Sequence, residues 1–365
     1  AGPALEDLDR ELARRVDGDG AIASRNPEEM LEILALVAGL AVYSLKTANV
    51  DAIPDIGENQ QIVFTEWPGR SPKDIEDQVT YPLSAELQGV PGVKTIRGTS
   101  AFGFSILYVI FKEDVDFYWS RSRLLEKLST LDDMLPEGAN ARLGPDATGL
   151  GQVFWYTLEN KESSENPLSL QELRSTQDFY VKFHLQSVEG VSEVASVGGF
   201  VKEYQIDIDP NKIFAYDTHF TDIIKAIQNS NNDVGAEVIE EGSREMVVRG
   251  LGFFDSLEDI RNVVVTVKDG TPVRVKDMGT VHLGPAFRRG ALDKNGQASV
   301  GGVVTIRYGE NPQKVLTRLK EKIDEIEDGL PQGVKLVPFY DRTKLIERTM
   351  GTVYSALSQE IIITV

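Results

Sequence analysis

Two stretches of this 365-residue chain repeat each other at a fixed offset, and any fold must accommodate both copies. Leu87-Gln88-Gly89-Val90-Pro91-Gly92-Val93 returns 98 residues later as Leu185-Gln186-Ser187-Val188-Glu189-Gly190-Val191. The match continues with Ile96 against Val194, Phe102 against Phe200 and Ile110 against Ile208. A second pair joins Leu135-Pro136-Glu137-Gly138 to Leu330-Pro331-Gln332-Gly333, after which Asp146 falls opposite Asp341. Repeats of this length mark duplicated supersecondary units, not the short stacked turns of a solenoid.

Local patterns define the unit. Residues 61–67 are β-rich and predict a strand, which Pro68-Gly69 breaks. Ser71 is placed to cap a helix whose apolar stripe is Ile75, Val79, Leu83 and Leu87. Strands are predicted at 93–97 and 105–111, then a second helix capped by Asp116 with Leu124, Leu125, Leu128 and Leu131 inside. Leu135-Pro136-Glu137-Gly138 stops it before a short strand to Leu143. The order β-α-β-β-α-β is the split βαβ, or ferredoxin-like, arrangement.

The second copy opens alike, with a strand at 153–158 and a helix at 169–188 that turns Leu173, Phe179 and Phe183 inward. Strands follow at 191–196 and 203–209, but the second helix comes only at 312–330, behind a strand at 299–307. The intervening insert, about 90 residues long, predicts a helix at 220–229 and strands at 237–239, 246–250, 262–267 and 272–276. The expected fold class is therefore α+β: two ferredoxin-like units, the second interrupted by an inserted α+β domain. The expected boundaries are 1–59, 60–149, 150–189 with 285–340 (second unit), 190–284 (insert) and 341–365.

Composition narrows function by exclusion. Acidic residues outnumber basic ones 57 to 38, a net charge of −19 that repels phosphate backbones and argues against nucleic acid. With no cysteine there is no disulfide, thiolate metal site or Cys nucleophile. His184, His219 and His282 stand apart, none with a His or carboxylate four residues on, and Met30, Met134, Met246, Met278 and Met350 are scattered. Gly149-Leu150-Gly151 lacks the Gly-Lys-Ser/Thr of a phosphate loop, and no Ser-His-Asp set is recognisable, so neither an enzyme nor a bound cofactor is expected. Glu113-Asp114-Val115-Asp116 reads as a turn with a helix cap.

The acidic start lacks the basic region of a signal peptide. The apolar run at 33–45 reaches only about 20 Å as a helix, short of a ~30 Å bilayer core. The chain begins at Ala1 and stops within the apolar run 361–365, so both ends read as cuts in something longer.

Several motifs together resemble the heavy-metal efflux branch of the resistance–nodulation–division (RND) transporters. They are Asp51-Ala52-Ile53-Pro54-Asp55, Trp67-Pro68-Gly69-Arg70-Ser71-Pro72, Gln78-Val79-Thr80-Tyr81-Pro82-Leu83 and Gly144-Pro145-Asp146-Ala147-Thr148-Gly149. Glu193-Val194-Ala195-Ser196-Val197-Gly198-Gly199 and Tyr340-Asp341-Arg342 fit the same branch, and the likeness runs over residues 42–365. The resemblance implies two porter subdomains and an inserted docking domain, flanked by membrane-helix segments near 1–59 and 341–365. It implies a proton-driven homotrimer in the bacterial inner membrane, mostly periplasmic here, working with a periplasmic adaptor (a membrane fusion protein) and an outer-membrane channel. The family's proton-carrying acids and most metal ligands then fall outside these residues.

The family pattern also bears on the metal. Divalent-cation pumps are expected to carry a glutamate just after Leu150-Gly151, where this chain has Gln152, the one cleft candidate. The Gly-Pro-Asp-Ala-Thr-Gly stretch looks more like copper(I) and silver(I) pumps, so the lean is to those metals over zinc, cobalt and cadmium. At 21–45 the chain departs from the pattern, with Glu28, Glu29 and Glu32 where the family has a longer apolar first membrane helix. Residues 233–248 read as a long hairpin, which in the family reaches into the neighbouring subunit. The competing expectation is a stand-alone soluble periplasmic metal-binding or adaptor module built from the same units.

Overall fold

The computed structural model describes residues 51–364 apart from 54, 162–163, 243 and 289, together with 32–37, 39–40 and 43–44. Residues 1–50 and 51–365 form separate units, and the described part of the first is helical. The rest of the run at 21–45, with Glu28 and Glu29, lies outside the described residues.

In the larger unit, β1 (Gln60–Glu66) turns Gln61, Val63 and Thr65 inward by simple alternation. Helix α1 runs Pro72–Ile75, passes through a π-turn at Glu76–Thr80 and continues as Tyr81–Gln88. Ser71 caps it as expected and shares a reciprocal capping box with Asp74. Then come β2 (Val93–Ala101), β3 (Phe104–Phe111), α2 (Phe117–Ser129, capped by Asp116) and β4 (Asn140–Leu143). The sheet order is β2-β3-β1-β4, with every pairing antiparallel. Ile75, Val79, Leu83, Leu87, Leu124, Leu128 and Leu131 pack on Val63, Leu107 and Val109. Each fully buried Leu or Ile contributes about 1.5–3 kcal/mol. Leu125 is a correction: it is 51% exposed, because turning Leu124 and Leu128 inward leaves the next residue about 100° round the helix.

The second unit starts with β5 (Gln152–Asn160) and α3, which runs Leu170–Thr176, a π-turn at Gln177–Val181, then Lys182–Gln186. Its cap repeats the first at the same 98-residue offset, Ser169 sharing a box with Glu172 as Ser71 does with Asp74. Gly92 and Gly190, also 98 apart, both take left-handed backbone (φ 84° and 92°), where a Cβ would strike Val115 and Val315 at 2.8 and 2.5 Å.

The inward face of α3 is Leu173, Gln177, Val181 and Leu185, all nearly inaccessible. Phe179 and Phe183, expected inside, are instead 84% and 69% exposed. A regular 3.6-residue period misplaces them, since the π-turn holds a four-residue spacing on one face.

After β6 (Val191–Gly198) the chain leaves for the insert: β7 (Lys202–Ile208), α4 (Pro210–Ala215), α5 (Phe220–Ser230), β8 (Val234–Glu241) and β9 (Arg244–Gly250). It continues through α6 (Leu257–Asn262), β10 (Val264–Lys268), β11 (Thr271–Arg274), α7 (Val275–Met278) and β12 (Gly279–Pro285). β7 pairs with β12, β10 with β11, and β8 with β9. Ile260, Val263, Val275 and Val281 form one small core, and Ile223, Val273 and Met278 another.

β13 (Leu292–Lys294) and β14 (Gln297–Ile306) return to the second unit, which α8 (Pro312–Glu327) and β15 (Val334–Asp341) complete. β14 lies between β6 and β5, and β5 between β14 and β15. β6-β14-β5-β15 thus repeats β2-β3-β1-β4, with β14 in the place of β3. Two expectations shift accordingly. β6 belongs to the second unit's sheet, so that unit extends past 189 and the insert opens after Gly198, not at 190. Residues 203–209 belong to the insert, where β7 pairs with β12.

The chain ends in α9 (Thr343–Thr364). Among the described residues no helix is long and apolar enough to cross a membrane. α9 coincides with the start of a membrane helix expected at 341–365, but Lys344, Glu347, Arg348 and Glu360 keep its described residues short of the apolarity of a span.

Candidate functional site

Gln152, the candidate at the start of β5, is exposed and follows a tight turn at Gly149–Gly151. Sequence dictates that turn closely. A Cβ on Gly151 would stand 3.0 Å from the Ile306 carbonyl and 3.3 Å from Thr305. Beyond it the ladder slips: Val304 faces Phe154, but Thr305 faces Gln152, leaving Val153 as the extra residue of a bulge. A bulge leaves the extra residue unpaired on that side and re-aims the side chains beside it.

The loop leading to Gln152 is sewn to three other segments. Asp146 accepts a short hydrogen bond from the Ser192 hydroxyl, faces the Arg307 guanidinium at 3.5 Å, and accepts the Tyr308 N–H at its main-chain oxygen (2.9 Å). The Thr148 hydroxyl donates to Asp55 at 2.8 Å. Arg121 donates to the Gly144 carbonyl at 2.7 Å. Aromatic contacts reinforce the junction between the two units, with Phe117 stacked on Tyr308 at 4.3 Å and the Tyr118 hydroxyl donating to the Tyr308 carbonyl.

Arg342 closes the arrangement from the far end of the chain. Only 2% exposed, it donates from Nη1 to the Leu150 carbonyl at 2.9 Å and lies 3.3 Å from Asp51. Its main-chain N–H donates to the Val153 carbonyl at 3.0 Å. Next to it, Asp341 pairs with Lys320 at 2.7 Å and accepts the Thr343 N–H at 2.9 Å. Burial by itself pushes the Asp341 carboxyl up, but the hydrogen bonds from Lys320 and Thr343 hold it below its ordinary value.

A cleft of about 520 Å³ lies alongside, lined in part by Glu58, Lys94, Glu113, Asp114, Asp116, Thr148 and Tyr308. Asp116 is occupied as the cap of α2, accepting the Trp119 N–H at 2.8 Å. Gln152 lies outside the cleft lining. Among the described residues no group of three or more His, Cys, Asp or Glu is arranged to hold a metal. The histidines are dispersed: His184 packs on Tyr180, His219 faces Asp222 and His282 faces Asp207. Met278 is buried in the insert, whereas Met134 and Met246 are 40% and 45% exposed.

The structure therefore joins motif segments far apart in sequence: Asp51 and Asp55, the 144–149 loop, the strand bearing Ser192, and Asp341-Arg342. The sequence marks these stretches, Tyr340-Asp341-Arg342 among them, but carries no signal for the bond from Arg342 to the Leu150 carbonyl.

Comparison with known proteins agrees with this architecture. Residues 21–365 match the family model described as the AcrB/AcrD/AcrF family. The cation efflux system protein CusA of Escherichia coli (strain K12) is 42% identical over 323 residues, 88% of this chain and 31% of CusA. The cobalt-zinc-cadmium resistance protein CzcA of Cupriavidus metallidurans is 35% identical over 344 residues, 93% of this chain and 32% of CzcA. A crystal structure of a heavy metal efflux pump superposes with a TM-score of 0.82 at 33% identity, covering 91% of this chain and 33% of that one. The chain thus spans about a third of the length of the proteins it matches. It belongs to the AcrB/AcrD/AcrF family, within the heavy-metal efflux branch of the RND transporters.

Proposed function

We propose that this chain is the periplasmic first part of a proton-driven pump that exports heavy-metal cations, and that it acts in transport and not as an enzyme. The whole protein, on this reading, is a homotrimer in the bacterial inner membrane, coupled to a periplasmic adaptor and an outer-membrane channel. It binds no nucleic acid and carries no resident cofactor; the metal cation is cargo. Family membership and the interrupted duplication of split βαβ units support the reading. The acids that carry protons and most of the metal ligands belong, on the same reading, to other parts of the protein.

The metal we favour is copper(I) or silver(I) over zinc, cobalt or cadmium. The observation that carries this lean is Gln152, an exposed neutral amide at the mouth of β5. Zinc accepts carboxylate oxygen alongside imidazole and thiolate, copper(I) selects soft sulfur ligands, and a neutral amide is a much weaker ligand for a divalent ion than a carboxylate. Lower identity to the protein named for cobalt-zinc-cadmium resistance (35%) than to CusA (42%) supports the same lean.

The test is metal tolerance of an efflux-deficient bacterium expressing the full-length protein or its Gln152→Glu variant. The native protein should protect against copper and silver, and the variant should move protection toward zinc and cobalt. Native protection against zinc and cobalt alone would reverse the metal lean; protection against no metal would remove the efflux reading.

A further inference from the structure

We infer that Arg342 is a positioning residue for the segment Leu150–Val153, through which movement at the start of α9 reaches the side chain at position 152. Only the functional meaning of position 152 rests on the reading above; the mechanical link stands on this chain's geometry.

Arg342 holds both sides of Gln152. Its side chain fixes the Leu150 carbonyl, two residues before, and its main chain fixes the Val153 carbonyl, one residue after. The main-chain bond extends the β5–β15 pairing one rung beyond Asp341 opposite Phe154, and on its other side Val153 is the bulged residue of β5. Asp51 faces the same Nη1 and balances its charge.

The chemistry is costly for a merely structural element. Arg342 is 2% exposed, and its Nε is buried with no hydrogen-bond partner. A buried guanidinium with one carboxylate and an unsatisfied N–H adds little net stability, and a well-packed apolar side chain often does as well or better. Orientation is what the arginine supplies and an apolar side chain cannot.

The other end of the link is α9. Arg342 directly precedes it, and Asp341 ties the first turn of α9 to Lys320 of α8. From Gly351 on, every described residue of α9 whose side chain is defined is exposed, whereas Ile346 in its first turn is buried. The buried first turn is where a displacement of α9 meets Arg342, which carries it to Leu150 and Val153.

The 365 residues hold no cysteine, so in the full-length protein, with any cysteine outside them changed to serine, Gln152→Cys accepts a single nitroxide label. Label mobility and amide hydrogen exchange are read in Arg342→Gln, Arg342→Lys and Lys320→Ala backgrounds. Arg342→Gln should speed exchange at 150–153 about tenfold or more and mobilise the label, while β1 and the middle of β5 keep their rates. Arg342→Lys, which preserves the charge facing Asp51, should recover part of the loss and stays informative if the Gln variant does not fold. Lys320→Ala loosens the start of α9 without touching 150–153, so it should mobilise the label when Arg342 is present and add nothing in the Arg342→Gln background. A uniform rise in exchange across both sheets would reduce Arg342 to a general stabiliser. Additive effects of the Lys320 and Arg342 changes would overturn transmission from α9.

Discussion

Ile75 and Leu87 lie on the same buried face of α1 although twelve positions separate them. In an unbroken α-helix, twelve steps of about 100° would leave them about 120° apart. The π-turn at Glu76–Thr80 absorbs one residue, and eleven effective steps bring them within about 20°. Deleting the exposed Asp77 should convert the π-turn to a regular turn and keep the core facing inward, at the cost of an exposed ion pair with Lys73. Deleting the exposed Ala85, outside the π-turn, should swing Leu87 out of the core and cost about 2–5 kcal/mol. Urea unfolding midpoints of the two deletions compare them directly, and equal losses would refute the register argument.

The π-turn of α3 carries Gln177 into the second core, where Tyr156 donates its hydroxyl hydrogen to Gln177 Oε1 at 3.0 Å. Both side chains are wholly buried. Tyr156→Phe should destabilise by about 1–3 kcal/mol, because the Gln177 oxygen is left without a donor. Burial pushes the Tyr156 phenol well above its ordinary 10.0. A folded-state value raised above the unfolded one gives stability that is complete below pH 10 and lost as pH climbs beyond it. Tyr156→Phe should therefore flatten the alkaline fall in melting temperature, read by circular dichroism between neutral pH and about pH 11.

Asp341 titrates in the opposite sense. Its folded-state value lies below the ordinary 3.8, so its contribution is present above that value and fades as pH falls through the lower one. Asp341→Asn should lower stability at neutral pH and narrow the difference between neutral pH and about pH 3. Melting temperatures at the two pH values measure this, and an unchanged difference would mean that other carboxylates govern the acid limb.

The repeat made most of the fold legible, because capping residues and apolar stripes act within a few positions of themselves: Ser71, Asp116 and Ser169 each cap where their sequence surroundings place them. Phe179 and Phe183 escape the local pattern for a related reason. The four-residue spacing Ile75-Val79-Leu83-Leu87 recurs 98 residues on as Leu173-Gln177-Val181-Leu185, and the polar Gln177 conceals it. The exchange of β3 for β14 is non-local. Ile208 matches Ile110 in sequence, yet β7 pairs with β12, and no short-range pattern reports that choice. The junction around Gln152 is harder still, since the bond from Arg342 to the Leu150 carbonyl spans 192 positions.

The hairpin β8–β9 gives the proposed assembly its most direct test. Its strands pair only with each other among the described residues, from Val234 opposite Gly250 to Glu241 opposite Arg244. Isolated two-stranded ribbons are marginal in water unless an apolar face is covered. Here Val238, Met246 and Val247 are 44%, 45% and 72% exposed. Val238 and Val247, opposite each other in register and so on one face, suit a surface that a second copy covers. Deleting residues 235–247 from the full-length protein should leave folded subunits, judged by circular dichroism, that no longer hold together as trimers in detergent. Solution mass before and after deletion reads the outcome. A folded deletion variant that remains trimeric would assign the assembly to other surfaces and leave this ribbon without a part in it.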